Sequence, residues 1–137
     1  EEKAERWVRE IPTHEIREQV CMNLFQKLNF ADKLVQNWSN WIKEEIRTSG
    51  YWLFTRLLII KSDLADNIDQ NEFLEKMIFD LNSDSYFLRL SAQNALKFLG
   101  RTSIELSRKI LLEIQDFKTS DDTIKNEIYN SLSFEFE

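Results

Sequence analysis

Glycine occurs twice, proline once, cysteine once and histidine once in the 137 residues of this chain. So little glycine and proline leaves few tight turns, which argues against a sheet of many short strands and in favour of helices. The lone Cys21 excludes an internal disulfide, and a reduced, cytoplasmic setting is the expectation. On its amphipathic run it reads as a small hydrophobe rather than a catalytic thiol. His14 and Cys21 are too few ligands for a closed zinc site, so neither metal nor cofactor is expected. Positive charge is also short, with 18 basic residues against 24 acidic ones and a net charge of −6. A general nucleic-acid binder usually carries the opposite excess, although a local basic stripe can act on an acidic body. Membrane-spanning apolar runs are missing; the longest candidate, Trp52 to Ile60, is interrupted by Thr55 and Arg56. The opening Glu1-Glu2-Lys3 lacks the apolar segment of a signal peptide. There is no Gly-rich phosphate loop, no Ser/His/Asp constellation and no recognisable pair of catalytic carboxylates.

What is present is apolar and periodic. Hydrophobic residues make up 42% of the chain and aromatics 12%, enough to build one domain over residues 1–137 with a real core. Three similar stretches recur about 35 residues apart, a spacing that marks stacked helix pairs. They are His14-Glu15-Ile16-Arg17, Tyr51-Trp52-Leu53-Phe54 and Tyr86-Phe87-Leu88-Arg89. The expected fold is all-α, an array of antiparallel pairs, because a single amphipathic pair cannot bury its outer face. Periodicity predicts eight helices: about 2–9, 14–28, 31–47, one starting near 51, 71–81, 85–99, one after 103, and 121–132. Thr48-Ser49-Gly50 reads as the clearest break, with Gly50 at positive φ, and the polar stretch 63–70 as a turn. Ile104, Ser107, Leu111 and Ile114 mark the inward face of the seventh helix, and Ile124 and Ile128 that of the eighth. The closing Ser-Phe-Glu-Phe-Glu is expected to fray or to pair with further chain.

The repeat openings carry a resemblance. Pro12-Thr13-His14-Glu15-Ile16-Arg17 resembles the His-Glu-Val-Arg signature of the DNA alkylation repair (AlkD-like) HEAT-repeat family. Trp38-Ser39 with Gly50-Tyr51-Trp52-Leu53-Phe54-Thr55 is similar to its Trp-Ala and Phe-Trp-x-Arg-Arg segment. Asp84-Ser85-Tyr86-Phe87-Leu88-Arg89, running on to Ala95-Leu96-Lys97-Phe98-Leu99-Gly100-Arg101, resembles its Tyr-Phe-Val-Arg-Lys and Trp-Ala-Leu-Arg segment. The likeness covers about residues 4–115, and the third match is the most specific. It implies a HEAT-like superhelix whose concave face cradles duplex DNA. It also implies, for enzymatic members, release of cationic alkylated purines such as 3-methyladenine and 7-methylguanine. In those members an Asp and nearby tryptophans face the lesion, and basic groups hold the backbone.

The chain departs from that pattern where chemistry belongs. Asn94 stands at the position of a lesion-contacting Trp and offers no π face to a cation. Lys97 replaces an Arg, keeping the charge and losing the bidentate fork. Phe54-Thr55 replaces the Arg pair, with Arg56 one helix step of about 100° away. Four residues after Trp38 comes Ile42; four after Trp41 comes Glu45, a carboxylate at the family's Trp-to-Asp spacing. The interval from His14 to Trp41 is also shorter by a helix pair. The expectation is therefore a DNA-associated HEAT-like protein with base excision absent or reduced. Two alternatives stand beside it: an active alkylpurine glycosylase, and a protein-binding scaffold. Trp41 and Glu45 are the catalytic candidates, against a reading as a core aromatic and a solvated acid. Arg17, Arg56, Arg89, Lys97 and Arg101 are the candidates for phosphate contacts, against bridging between repeats. His14 reads either as a phosphate contact or as a helix-start residue.

Overall fold

A computed structural model describes residues 25–137 of the chain. The expected helices over 2–9 and most of 14–28, with His14, Arg17 and Cys21, lie outside the described residues. Phe25–Lys27, which the periodicity placed in a helix, is a 3₁₀ turn.

The described residues are all-α, with no strand among them. Helix α1 spans Ala31–Trp38, α2 Glu44–Ile59, α3 Gln70–Asp80, α4 Tyr86–Gly100, α5 Ile104–Glu113, α6 Gln115–Lys118 and α7 Thr123–Glu135. Side-chain caps set most of the starts. Asp69 accepts from the amides of Asn71 and Glu72 at 3.1 and 3.2 Å. Ser85 accepts from Leu88, Ser103 from Leu106 and Asp122 from Ile124. Each satisfies a helix-start donor that has no partner within its own helix.

Burial follows a helical period. Ala31, Leu34, Val35 and Trp38 are the apolar face of α1, and Phe73, Leu74 and Met77 that of α3. Leu88, Ala92, Ala95, Leu96 and Leu99 line α4, and Ile128 and Leu132 line α7. All belong to one continuous core reaching from Phe25 to Leu132. Helix α2 is the central element, packed most extensively against α4 and also against α1. It is therefore buried nearly all round, from Thr48 through Thr55. Its hydroxyls tolerate this because they bond back along the helix, Thr55 to the Tyr51 carbonyl and Ser49 to that of Glu45, both at 3.0 Å.

Several sequence expectations are corrected. The predicted helix over 31–47 ends at Trp38, and Thr48-Ser49-Gly50 lies inside α2 rather than at a break. Gly50 has no positive φ; it is small because α1 crosses it closely. A Cβ there would meet the Ser39 nitrogen at 3.1 Å and the Trp38 Cβ at 3.2 Å. The left-handed residue that terminates α2 is instead Lys61, at φ 56°, followed by a Ser62 amide bond to the Leu57 carbonyl at 2.9 Å. Residues 63–70 do hold the turn, its first part wound as a 3₁₀ turn over Asp63–Asn67. On the outer helices, Ile104 is 73% and Ile124 45% exposed, so neither belongs to the core. Finally, the chain end does not fray. Helix α7 runs to Glu135, and the Phe136 ring covers Gly100.

Candidate functional site

Trp41 and Glu45 do not share a helix face. Because α1 stops at Trp38, Trp41 lies half-buried in the turn before α2, while Glu45 is exposed in the first turn of α2. The i, i+4 relation that motivated the pair requires both residues in one helix. Trp38, the other tryptophan of this segment, is fully buried, edge-on to Phe25 at 5.3 Å between ring centroids. The path from Leu28 to Gly50 is continuous and holds α1, the turn and the first half of α2. Around Trp41 the turn and the outer side of α3 form a shallow groove of about 480 Å³. Ile42 and Phe79 line it and are 93% and 73% exposed.

The basic candidates fall on two helices. Arg56, on α2, donates to Gln26 Oε1 at 3.2 Å. Arg89, Lys97 and Arg101 follow one ridge of α4 and its C-terminal cap, since residues four apart are neighbours along a helix. Arg89 donates to the Ser83 carbonyl at 2.9 Å and lies 5.9 Å from the Tyr86 ring centre. It borders a groove of about 380 Å³ between α4 and α7, opposite Ile124, Glu127 and Ser131. Further along the ridge, Lys97 Nζ stands 3.6 Å from Glu135 Oε1, and Arg101 bonds to Glu135 Oε2. The contacts brought together here are thus Lys97 and Arg101 with an acid of α7. Asn94, also on α4, is half-buried.

The most constrained polar group of the described residues is one that periodicity did not single out. Asp80, 2% exposed, receives Arg47 Nη2 on one carboxylate oxygen and the Tyr51 hydroxyl on the other. Tyr51 is itself fully buried, edge-on to Phe73. Burial, then the charge and hydrogen bond of Asp80, push the Tyr51 hydroxyl well above the ordinary tyrosine range. For Arg47, burial favours the neutral form, but Asp80 outweighs it and the guanidinium is held more firmly charged than usual. The sequence did carry a signal: Asp80 falls three residues after Met77 and seven after Phe73, on the apolar face of α3. An acid at such a position needs a buried partner. The triad ties α2 to α3, with Asp80 and Tyr51 buried and Arg47 reaching the edge of the groove around Trp41.

Among the described residues no three His, Cys, Asp or Glu side chains gather closely enough to hold a metal ion. Nor is any described helix long and apolar enough to cross a membrane. Comparison with protein-family models, with curated proteins and with solved structures finds no match.

Proposed function

We propose that this chain is a HEAT-like helical-repeat module of the DNA alkylation repair type, which associates with duplex DNA and has little or no base-excision activity. The observation that carries the repeat reading is the regular span of the side-chain bonds between helices. Arg56–Gln26 bridges 30 residues, Gln36–Asn67 31, Arg47–Asp80 33, Arg101–Glu135 34, Asn67–Asp32 35, Lys76–Asn40 36 and Lys109–Asn71 38. Contacts between elements about one repeat apart are what stacked pairs require. Helices α4 and α7 also run in the same direction, since residues 86–93 face 124–131 and residues 97–101 face 135. Support for DNA as the partner comes from Arg56, Arg89, Lys97 and Arg101, together with the likeness of residues 84–101 to the family's segment. Support for weak catalysis comes from Asn94 in place of an aromatic and from the separation of Trp41 and Glu45 onto two elements.

Salt titration of duplex binding tests the DNA reading. Phosphate contacts release counterions, so affinity should fall steeply with salt, by a log–log slope of about 0.9 per phosphate neutralised. A flat salt response, or no binding at low salt, sinks it. The same protein should release little or no 3-methyladenine or 7-methylguanine from methylated duplex, and rapid release would overturn the non-catalytic part. A protein-binding scaffold is the second reading, favoured by the exposed Ile42 and Phe79 around Trp41.

A further inference from the structure

The two cations at the C-terminal end of α4 are already occupied, and by a group that resembles a phosphate. The Glu135 carboxylate presents Oε1 to Lys97 and Oε2 to Arg101. It is anionic, bears two acceptor oxygens, and meets a guanidinium as a phosphate would. The pair is not sealed in the core: the side chains of Lys97, Arg101 and Glu135 are 27%, 46% and 25% exposed. An incoming anion can therefore reach the same cations. The next residue fixes the carboxylate in place. Phe136 lies half-buried against Gly100, where any Cβ would run into its ring. Gly100 thus provides the seat on which the end of α7 rests, and Lys97 and Arg101 flank that seat.

We propose that the end of α7, Glu135 with Phe136, is an internal latch that competes with DNA phosphate for Lys97 and Arg101. Resting on the DNA reading above, the latch adds a regulatory element to it: the ridge of α4 is fully available only when the last turn of α7 lifts away. The two ion pairs are partly exposed, and such pairs are weak enough for an incoming anion to displace. DNA binding and latch closure are then mutually exclusive at these two side chains.

The test compares duplex binding by the wild-type chain, Glu135→Gln, Phe136→Ala and Glu113→Gln at several salt concentrations. Glu135→Gln removes the competing charge and should tighten binding by roughly three- to tenfold, the equivalent of the two pairs released. Its salt slope should steepen by about one or more, as further phosphates are neutralised. Phe136→Ala leaves the net charge unchanged but loosens the seat, and should tighten binding more modestly. Glu113→Gln, at the exposed end of α5, changes net charge equally and should leave affinity within about twofold. Circular dichroism and thermal melting establish that each variant is folded. If the wild type binds and both α7 variants bind no better than Glu113→Gln, the latch is refuted while the DNA reading stands. If neither wild type nor variants bind duplex at low salt, both fall.

Discussion

At the scale of single residues, the Arg47–Asp80–Tyr51 triad dominates the electrostatics of the core. Its members depend on one another, so removing one strands the others. Asp80→Ala leaves a buried tyrosine hydroxyl without its acceptor and Arg47 without its counter-ion. Loss of one partner of a buried pair costs about 3–5 kcal/mol, and the low end applies because Arg47 keeps 21% of its side chain exposed. Urea denaturation should therefore show Asp80→Ala less stable by about 3 kcal/mol. The pH dependence has a definite sign. Below the ordinary tyrosine value of 10.0 the Tyr51 hydroxyl is protonated in both folded and unfolded chains, and its contribution is complete. Above that value the unfolded chain ionises while the folded chain resists, because burial and Asp80 hold the hydroxyl protonated. Stability should fall by up to about 1.4 kcal/mol per pH unit through that range. Tyr51→Phe should lack this alkaline component, which denaturation series at matched pH would reveal. An identical alkaline limb in the variant would dissociate Tyr51 from it.

At the scale of elements, the glycine and the left-handed residue have exchanged the places that sequence signals assign them. A glycine after Thr48-Ser49 resembles a helix stop, and periodicity alone cannot distinguish a stop from a crossing point. The deciding fact is tertiary: α1 passes so close to Gly50 that a side chain would press on the Ser39 backbone and on the fully buried Trp38. Alanine normally gains about 1 kcal/mol over glycine within a helix, but overpacking a tight contact costs about 1–3 kcal/mol. Gly50→Ala should accordingly be destabilising, by about 1 kcal/mol net. Lys61 is the converse case, since a non-glycine residue at φ 56° carries about 1–2 kcal/mol of strain. Lys61→Gly should raise stability by about 0.5–1 kcal/mol. Opposite shifts in thermal midpoint for these two variants check the assignment; a stabilising Gly50→Ala would contradict the close crossing. The caps are local by contrast, because Asp69, Ser85, Ser103 and Asp122 bond to amides only two or three residues ahead. Local chemistry of that range is written in consecutive letters.

For the whole molecule, the helical class was readable from the poverty of glycine and proline and from the spacing of apolar residues. The inward faces of α3 and α4 show why such spacing is informative: Leu74, Met77, Leu81, Leu88, Ala92 and Leu99 follow an unbroken period and are buried. Outer helices were harder. Ile104 and Ile124 keep the period yet stay outside the core, because a pattern reports which face is apolar and not how far anything covers it. The candidate site was legible only as a set of charges. That Lys97 and Arg101 would converge on Glu135 depends on how α7 lies against α4, a relation between residues 34 or more positions apart. Trp41 and Glu45 illustrate the reverse: a correct spacing lost its meaning when a helix ended three residues before the first of them.

The repeated span of the bridging bonds also bears on how the protein responds to being pulled. Each tether, from Arg56–Gln26 at 30 residues to Lys109–Asn71 at 38, reaches only one step along the stack. None of these ties the region of α1 directly to α7, so tension applied along the chain is not shared among them in parallel. It is borne by one seam at a time. Such an arrangement should yield by peeling, helix after helix, with extension released in instalments. The α4–α7 seam, held at Lys97 and Arg101 by Glu135, is a place where that peeling can begin.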